Sequence, residues 1–306
     1  MQPVCDMAET SRDLRQEPPG CINHDNSCFG CINLLIWKPC YARHMTIAAN
    51  PEVEVLLPGF RSRLNEDTKA GDIRLCFSRE DDFDFSSDDY SRLFTSSAAT
   101  AFQHPAWLRH FYEVLPPHRD AAKAVIAFRE PNGRLVGVLP MIVRRKAGVR
   151  LLETTDLGVS DYAAPALDRA MRDAFARHAE LKHRIAPLLP AHDILRIRPI
   201  RAEHVEDWQA LLEGSVEQLE FGAPFAALGN DYAAWRRTRP SKTLLGRLAR
   251  AEKQIAKRGG AHLVRLASPA EIRDAVREIQ RLRAGRFDGD LIEDDIVRDF
   301  YAAVAA

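Results

Sequence analysis

The chain has 306 residues, enough for about two domains at the usual ~100–200 residues each. An apolar fraction of 46% and a charged fraction of 28% exclude a globally disordered or collagen-like chain, and equal numbers of basic and acidic residues, 43 each, exclude a uniformly basic nucleic-acid coat or an acidic tail protein. No apolar run reaches the ~18 residues of a membrane span, and the candidate nearest the N-terminus, Ile32 to Trp37, is broken by Asn33, so a soluble, cytoplasmic chain is expected.

Five of the six cysteines (Cys5, Cys21, Cys28, Cys31 and Cys40) fall in the first 40 residues. A secreted disulfide scaffold would spread them through the fold. Cys28-Phe-Gly-Cys31 is a lone C-x2-C; with Cys21 and Cys40 isolated and His24 nearby, the second ligand pair of a structural zinc site is missing, so no metal is expected. Glu17-Pro18-Pro19-Gly20 and Asn23-His24-Asp25-Asn26 have no periodicity on which to build a core. Residues 1–71 therefore read as a poorly ordered leader, with a true start at Met45 and residues 1–44 dispensable.

From Asp72 the chain reads as folded. Ile73, Leu75 and Phe77 alternate as in a strand. The acidic stretch Glu80 to Asp89 follows as a solvated loop and helix start, because it lacks both His and a calcium-loop spacing. Pro105 suits a first helical position, Trp107, Leu108, Phe111, Tyr112 and Leu115 make one apolar face, and Pro116-Pro117 stops that helix. Strands at Ala124–Phe128 and Leu135–Val143 are joined by the turn Pro131-Asn132-Gly133, and a short strand follows near Leu151–Thr155. Beyond the loop Asp156–Tyr162 come a helix over Ala170–Leu181, a strand at Ile194–Ile197, a helix over Val205–Leu212 and an edge strand at Leu219–Phe221. The order β-αα-βββ-α-β-α-β predicts a mixed α/β domain.

A composition shift follows. Arg236 to Arg258 holds nine basic residues against one acid, Glu252, with Leu244, Leu248, Ala251 and Ile255 on one helical face. Gly259-Gly260 ends this helix. A strand is expected at His262–Leu266, then a helix opened by the capping box Ser268-Pro269-Ala270-Glu271, and a last helix carrying Ile296, Phe300, Tyr301 and Val304.

Three segments, Phe102-Gln103-His104-Pro105-Ala106-Trp107-Leu108, Leu135-Val136-Gly137-Val138-Leu139-Pro140, and Gly158 with Ser160-Asp161-Tyr162 and Pro165, resemble in order and spacing the cellulose-biosynthesis (CelD/BcsL-like) acetyltransferases of the GNAT superfamily. Ser241-Lys242 through Arg250, with Arg286 and Phe300-Tyr301, resembles the start of that family's second acetyltransferase-like domain. The resemblance implies an α/β fold with a GNAT-like mixed sheet flanked by helices over residues 72–230. It further implies an incomplete second GNAT-like copy over 231–306, the chain being truncated at its C-terminus. It also implies acyl transfer from acyl-CoA to an amine or hydroxyl, a small-molecule or saccharide-linked acceptor, and a link to cellulose or exopolysaccharide synthesis machinery. The loop after the fourth strand departs from the family pattern Gln/Arg-x-x-Gly-x-Gly/Ala. Asp156-Leu157-Gly158-Val159-Ser160-Asp161-Tyr162 brings one glycine and two acids, which repel a pyrophosphate, so this copy is expected to be a poor CoA site and the chain as it stands inactive.

No catalytic residue can be named from the sequence. Ser160, Asp161 and Tyr162 either line an acceptor pocket, where Asp accepts a proton and Tyr donates one, or form a turn with Asp161 bonding the local backbone. Lys242, Arg247 and Arg250 either bind an anionic substrate or form a solvated helix face. Trp107 reads as core rather than as a sugar-stacking platform. His178 and His183, five apart, do not share the helix face a metal pair needs. The alternative function is a non-catalytic binding module that uses the basic helix 236–258 for nucleic acid, anionic lipid or a protein partner, although balanced overall charge argues against nucleic acid.

Overall fold

The computed structural model describes residues 30–37, 53–57, 73–177, 181–222, 230–238, 240–287 and 289–306. Two strands, β1 (Gly30–Trp37) and β2 (Val53–Leu57), lie within the expected leader, where no periodicity announces them. The zinc question at Cys21, Cys28 and Cys40 falls outside the described residues, as does His178.

The expected elements follow in order. After β3 (Ile73–Arg79), helix α1 (Asp88–Ser96) is capped by Ser87 Oγ, which accepts from the Tyr90 N–H. Helix α2 (Pro105–Val114) opens on proline and ends before Pro116-Pro117. Strands β4 (Ala121–Arg129) and β5 (Leu135–Lys146) form a hairpin whose turn uses Gly133 at φ +86°, with Asn132 Oδ1 accepting from Arg134 N at 2.9 Å. Then come β6 (Val149–Thr154), the two-residue β7 (Ala166–Leu167), α3 (Arg169–Arg177), α4 (Leu181–Ile185), β8 (Ile194–Arg201), α5 (Val205–Leu211) and β9 (Ser215–Gly222).

These strands form one mixed sheet in the order β2-β3-β4-β5-β6-β8-β1-β9, with β7 added on β5. Every pairing is antiparallel except β6 with β8, which is parallel and spans only Leu151↔Ile194, Leu152↔Leu195 and Glu153↔Arg196. Strand β9 is an edge, as its sequence suggests. Strand β1 is not peripheral: it pairs with β8 from Cys31↔Arg201 to Trp37↔Ile194 and with β9 through Leu34↔Val216. Residues 30–37 of the expected leader are therefore an interior strand.

The sheet is covered on both faces. In β4, period-two alternation sends Ala124, Ile126 and Phe128 to the layer holding Phe175 and Trp208, and Val125 and Ala127 to the layer holding Tyr90 and Leu108. Each fully buried large side chain contributes about 1.5–3 kcal/mol. At Gly137, where β5 crosses β4, a Cβ would meet Phe128 Cδ2 at 2.3 Å, so only glycine fits under that ring.

The C-terminal region is helical. The expected single basic helix is two, α6 (Tyr232–Thr238) and α7 (Lys242–Lys257), divided near Pro240, with Ser241 Oγ capping α7 by accepting from Leu244 N at 3.2 Å. Residues 262–266 are not a strand and pair with none among the described residues, and Leu263 is fully exposed. Helix α8 (Pro269–Arg283) carries the expected capping box, and α9 (Asp295–Ala305) follows. Apolar residues of α7 and α8, including Leu244, Leu248, Ile255 and Ile279, remain exposed, as expected of stripes without a partner. Phe300 does not: it is fully buried with Phe111, Leu115, Ile142, Val159 and Val297. The Arg119–Asp294 ion pair ties the start of α9 to the segment between α2 and β4.

Candidate functional site: an aromatic cleft beside the loop after β6

Parallel pairing of β6 with β8 stops at Glu153 and Arg196, and the chain leaves the sheet into the loop 155–165. Such a point, outside the carboxyl end of a strand where sheet connectivity changes, is where open α/β sheets place ligands. The loop is built by its own side chains. Asp156 Oδ1 accepts from Gly158 N at 2.9 Å, and the Asp156 carbonyl accepts from Val159 N at 2.9 Å. Leu157 and Gly158 both take positive φ to make this turn. Burial raises the Asp156 carboxyl above its ordinary value, against the lowering effect of these hydrogen bonds. Further along, Ala163 N donates to the Pro199 carbonyl at 2.7 Å and Trp208 Nε1 donates to the Ala163 carbonyl at 3.2 Å.

Three of the expected site residues lie here, in different roles. Ser160 is buried, its Oγ donating to the Thr155 carbonyl at 2.6 Å, so it holds the loop together. Tyr162 packs edge-on to Phe102 with ring centroids 5.9 Å apart, under the Arg201 guanidinium at 5.5 Å, while its carbonyl accepts from Gln103 Nε2. It supports the wall. Asp161 is exposed and accepts no hydrogen bond among the described residues.

Asp161 borders a cleft of about 830 Å³ between α2, this loop and the segment from α8 to α9. One wall is Phe102 and Trp107; the other is Arg283, Phe287, Asp290 and Tyr301. Trp107 meets Phe102 and Phe300 edge to face, both at 5.0 Å, and Tyr301 at 6.1 Å. Its indole N–H is buried with no hydrogen-bond partner among the described residues. Arg283 donates from Nε and Nη2 to the two Asp290 oxygens at 2.7 and 3.0 Å, and its guanidinium lies 4.9 Å from the Phe287 ring centre. The Arg283 hydrogen bonds hold Asp290 below the ordinary carboxylate range. Burial, then the charge of Asp161, raises Tyr301 above the ordinary phenol value; Arg283 opposes this and Asp290 adds to it.

The other three expected residues are elsewhere. Lys242, Arg247 and Arg250 are exposed on α7 and do not line the cleft; Arg250 Nε donates to the Gly246 carbonyl of its own helix. The cation the cleft does contain, Arg283, was not singled out by sequence, nor were Asp290 and Phe287. The available signal was the pair Phe300-Tyr301: adjacent on one helix, the first enters the core and the second faces the cleft. Trp107 serves both, packing on Phe300 while facing the cleft.

A second cavity, of about 900 Å³, lies at the start of α3 beside Arg92, Arg134 and Arg169. Its charges are spent on one another: Arg134 on Glu130 and Asp168, Arg92 on Asp89, and Arg169 on the Ser97 carbonyl. It offers less uncommitted chemistry than the cleft.

The loop after β6 does not fit acyl-CoA. The N–H groups of Gly158 and Val159, which would cradle a pyrophosphate, are turned onto Asp156, and the loop presents carboxylates. Among the described residues no cluster of His, Cys, Asp and Glu could hold a metal ion, and no helix is long and apolar enough to cross a membrane. Compared with the known protein families, the curated proteins and the solved structures, the chain matches none.

Proposed function

We propose that the chain is a GNAT-like, acyltransferase-type protein that receives an amine or hydroxyl acceptor in the cleft between α2 and α9. The observation that carries this reading is the position of Asp161, exposed in the loop after β6 and without a hydrogen-bond partner among the described residues, beside the point where antiparallel pairing gives way to parallel. On the resemblance in sequence, the acceptor is a small or saccharide-linked molecule of cellulose or exopolysaccharide production. The acceptor's N–H or O–H donates to Asp161, the Tyr301 hydroxyl orients it, and the aromatic walls exclude water around it. No step is assigned to acyl-CoA, because the amides that would hold it are occupied by Asp156. Titration of the full chain with small amines and alcohols should give saturable binding, whereas acetyl-CoA should give none. Saturable acetyl-CoA binding with turnover on any acceptor would overturn the donor half of this reading, and failure of every acceptor to bind would overturn the acceptor half.

A second reading, a docking module built on α7, draws on the exposure of Lys242, Arg247, Arg250, Lys253 and Lys257 along one helix. It predicts binding to duplex DNA or anionic vesicles that weakens steeply with added salt. Binding that does not respond to salt, or none, removes it.

A further inference from the structure

We infer that α7 is a membrane-docking helix, which lies in the plane of an anionic lipid surface with its leucine side at the acyl boundary and its cations on the lipid phosphates. The inference rests on the docking reading of α7 above and narrows its partner to lipid. Three observations carry it.

The first is the way residue types divide around the helix. At 3.6 residues per turn, Lys242, Arg247, Arg250, Lys253 and Lys257 fall within an arc of about 140°. Leu244, Leu245, Leu248 and Ile255 fall within about 100° on the opposite side. The single acid of α7, Glu252, lies on the leucine side, 3.4 Å from Arg236 of α6, and so stays out of the cationic arc. The second is exposure. No residue of α7 is buried, and Leu244, Leu248 and Ile255 are 42 to 46% exposed. Just past Gly259-Gly260, Leu263 is fully exposed and Val264 is 71% exposed, which adds apolar side chains beyond the end of the helix.

The third is what each kind of partner uses. Duplex DNA takes the cationic arc and leaves the leucines in water. A second copy covers the leucines but brings the same five cations alongside and leaves them unmatched. An anionic bilayer surface takes both sides. The apolar side chains enter about 5–10 Å into the boundary between headgroups and acyl chains, and the long Lys and Arg stems reach back to the phosphates. The 16 residues of α7 span about 24 Å, too short and too charged to cross a bilayer and suited to lie along one.

Co-sedimentation of the full chain with vesicles tests this, using phosphatidylcholine alone and phosphatidylcholine mixed with phosphatidylglycerol, beside a mobility-shift titration with duplex DNA. The mixed vesicles should bind about tenfold or more tightly than phosphatidylcholine alone, and added salt should weaken that binding. Leu248→Ser with Ile255→Ser, both at exposed positions, should fold normally by circular dichroism and lower affinity for the mixed vesicles about tenfold or more. Arg250→Gln with Lys253→Gln should lower it by a similar factor. Mixed-vesicle binding indifferent to the serine substitutions, or DNA binding tighter than vesicle binding, would overturn the lipid assignment while leaving α7 a docking helix. A dimer in analytical ultracentrifugation that is lost in the serine variant, without vesicle binding, would assign this face to a second copy and overturn it too. Binding to neither vesicles nor DNA, with no dimer, overturns both the inference and the docking reading.

Discussion

Asp156 and Asp161 stand five residues apart in one loop with opposite roles. Asp156 turns inward and bonds the loop's own amides, whereas Asp161 makes no such bond. Asp156→Ala should lower stability by about 0.5–1.5 kcal/mol, the net worth of the hydrogen bond its carboxylate accepts from the Gly158 N–H. Asp161→Asn should stay within about 0.5 kcal/mol of the wild type, as surface substitutions usually do. Chemical denaturation of both variants checks the contrast. The sequence marked this loop as chemically interesting, but whether Asp161 caps the turn or faces a ligand depends on which way the turn folds. Two aspartates in one short loop leave that open.

Glu153 gives a second residue-scale test. It is buried on β6 between Arg144 Nε at 2.5 Å and Arg196 Nε at 2.8 Å. Burial raises its pKa, the hydrogen bonds from Arg144 and Arg196 lower it by more, and the net shift is downward. A depressed native pKa contributes stability above the ordinary glutamate range, lost as pH falls through the lowered native value. Urea unfolding should therefore show wild-type stability declining in acid, with Glu153→Gln about 1.5–3 kcal/mol less stable at neutral pH and its acid decline shallower. Equal acid slopes for the two proteins would contradict the assignment.

At the scale of elements, long periodic stretches were legible and partner-dependent ones were not. Strands β3 to β6 and helices α2, α8 and α9 announce themselves by alternation, a helical apolar stripe, or a cap such as Ser268 with Glu271. Strand β1 does not, because its place comes from the two strands it joins rather than from a pattern of its own. The reverse error occurs at 262–266, where strand-like residues pair with no strand among the described residues. Pro240 divided the basic helix at a place the charge pattern alone ran straight through. Deleting residues 1–44 should expose the facing edges of β8 and β9 and cost about 3 kcal/mol or more, a few net hydrogen bonds at ~0.5–1.5 kcal/mol each. A chain starting at Met45 that unfolds at the same denaturant concentration as the full chain would remove β1 from the sheet.

For the molecule as a whole, the junction between sheet domain and C-terminal helices decides whether a site exists. Composition at Arg236 marked a boundary there, and the exposed faces of α7 fit one. Helix α9 instead joins the sheet domain through Phe300 and the Arg119–Asp294 pair, so the cleft has a second wall. That closure was not legible, because the apolar stripe of α9 says that it packs but not on what. Phe300→Ala should cost about 3–5 kcal/mol through lost burial and the cavity left against Trp107 and Phe111. It should also abolish amine binding, because Tyr301 and the Arg283–Asp290 pair depend on the same docking. Retained binding would show that the second wall is not needed.

The most direct measurement is hydrogen–deuterium exchange of the full chain with and without a saturating small amine acceptor. Slower exchange is predicted in residues 102–107, 157–162 and 283–301, with α7 unchanged. Protection confined to α7, or no protection in any of these three segments, would contradict the assignment of the cleft as the functional site.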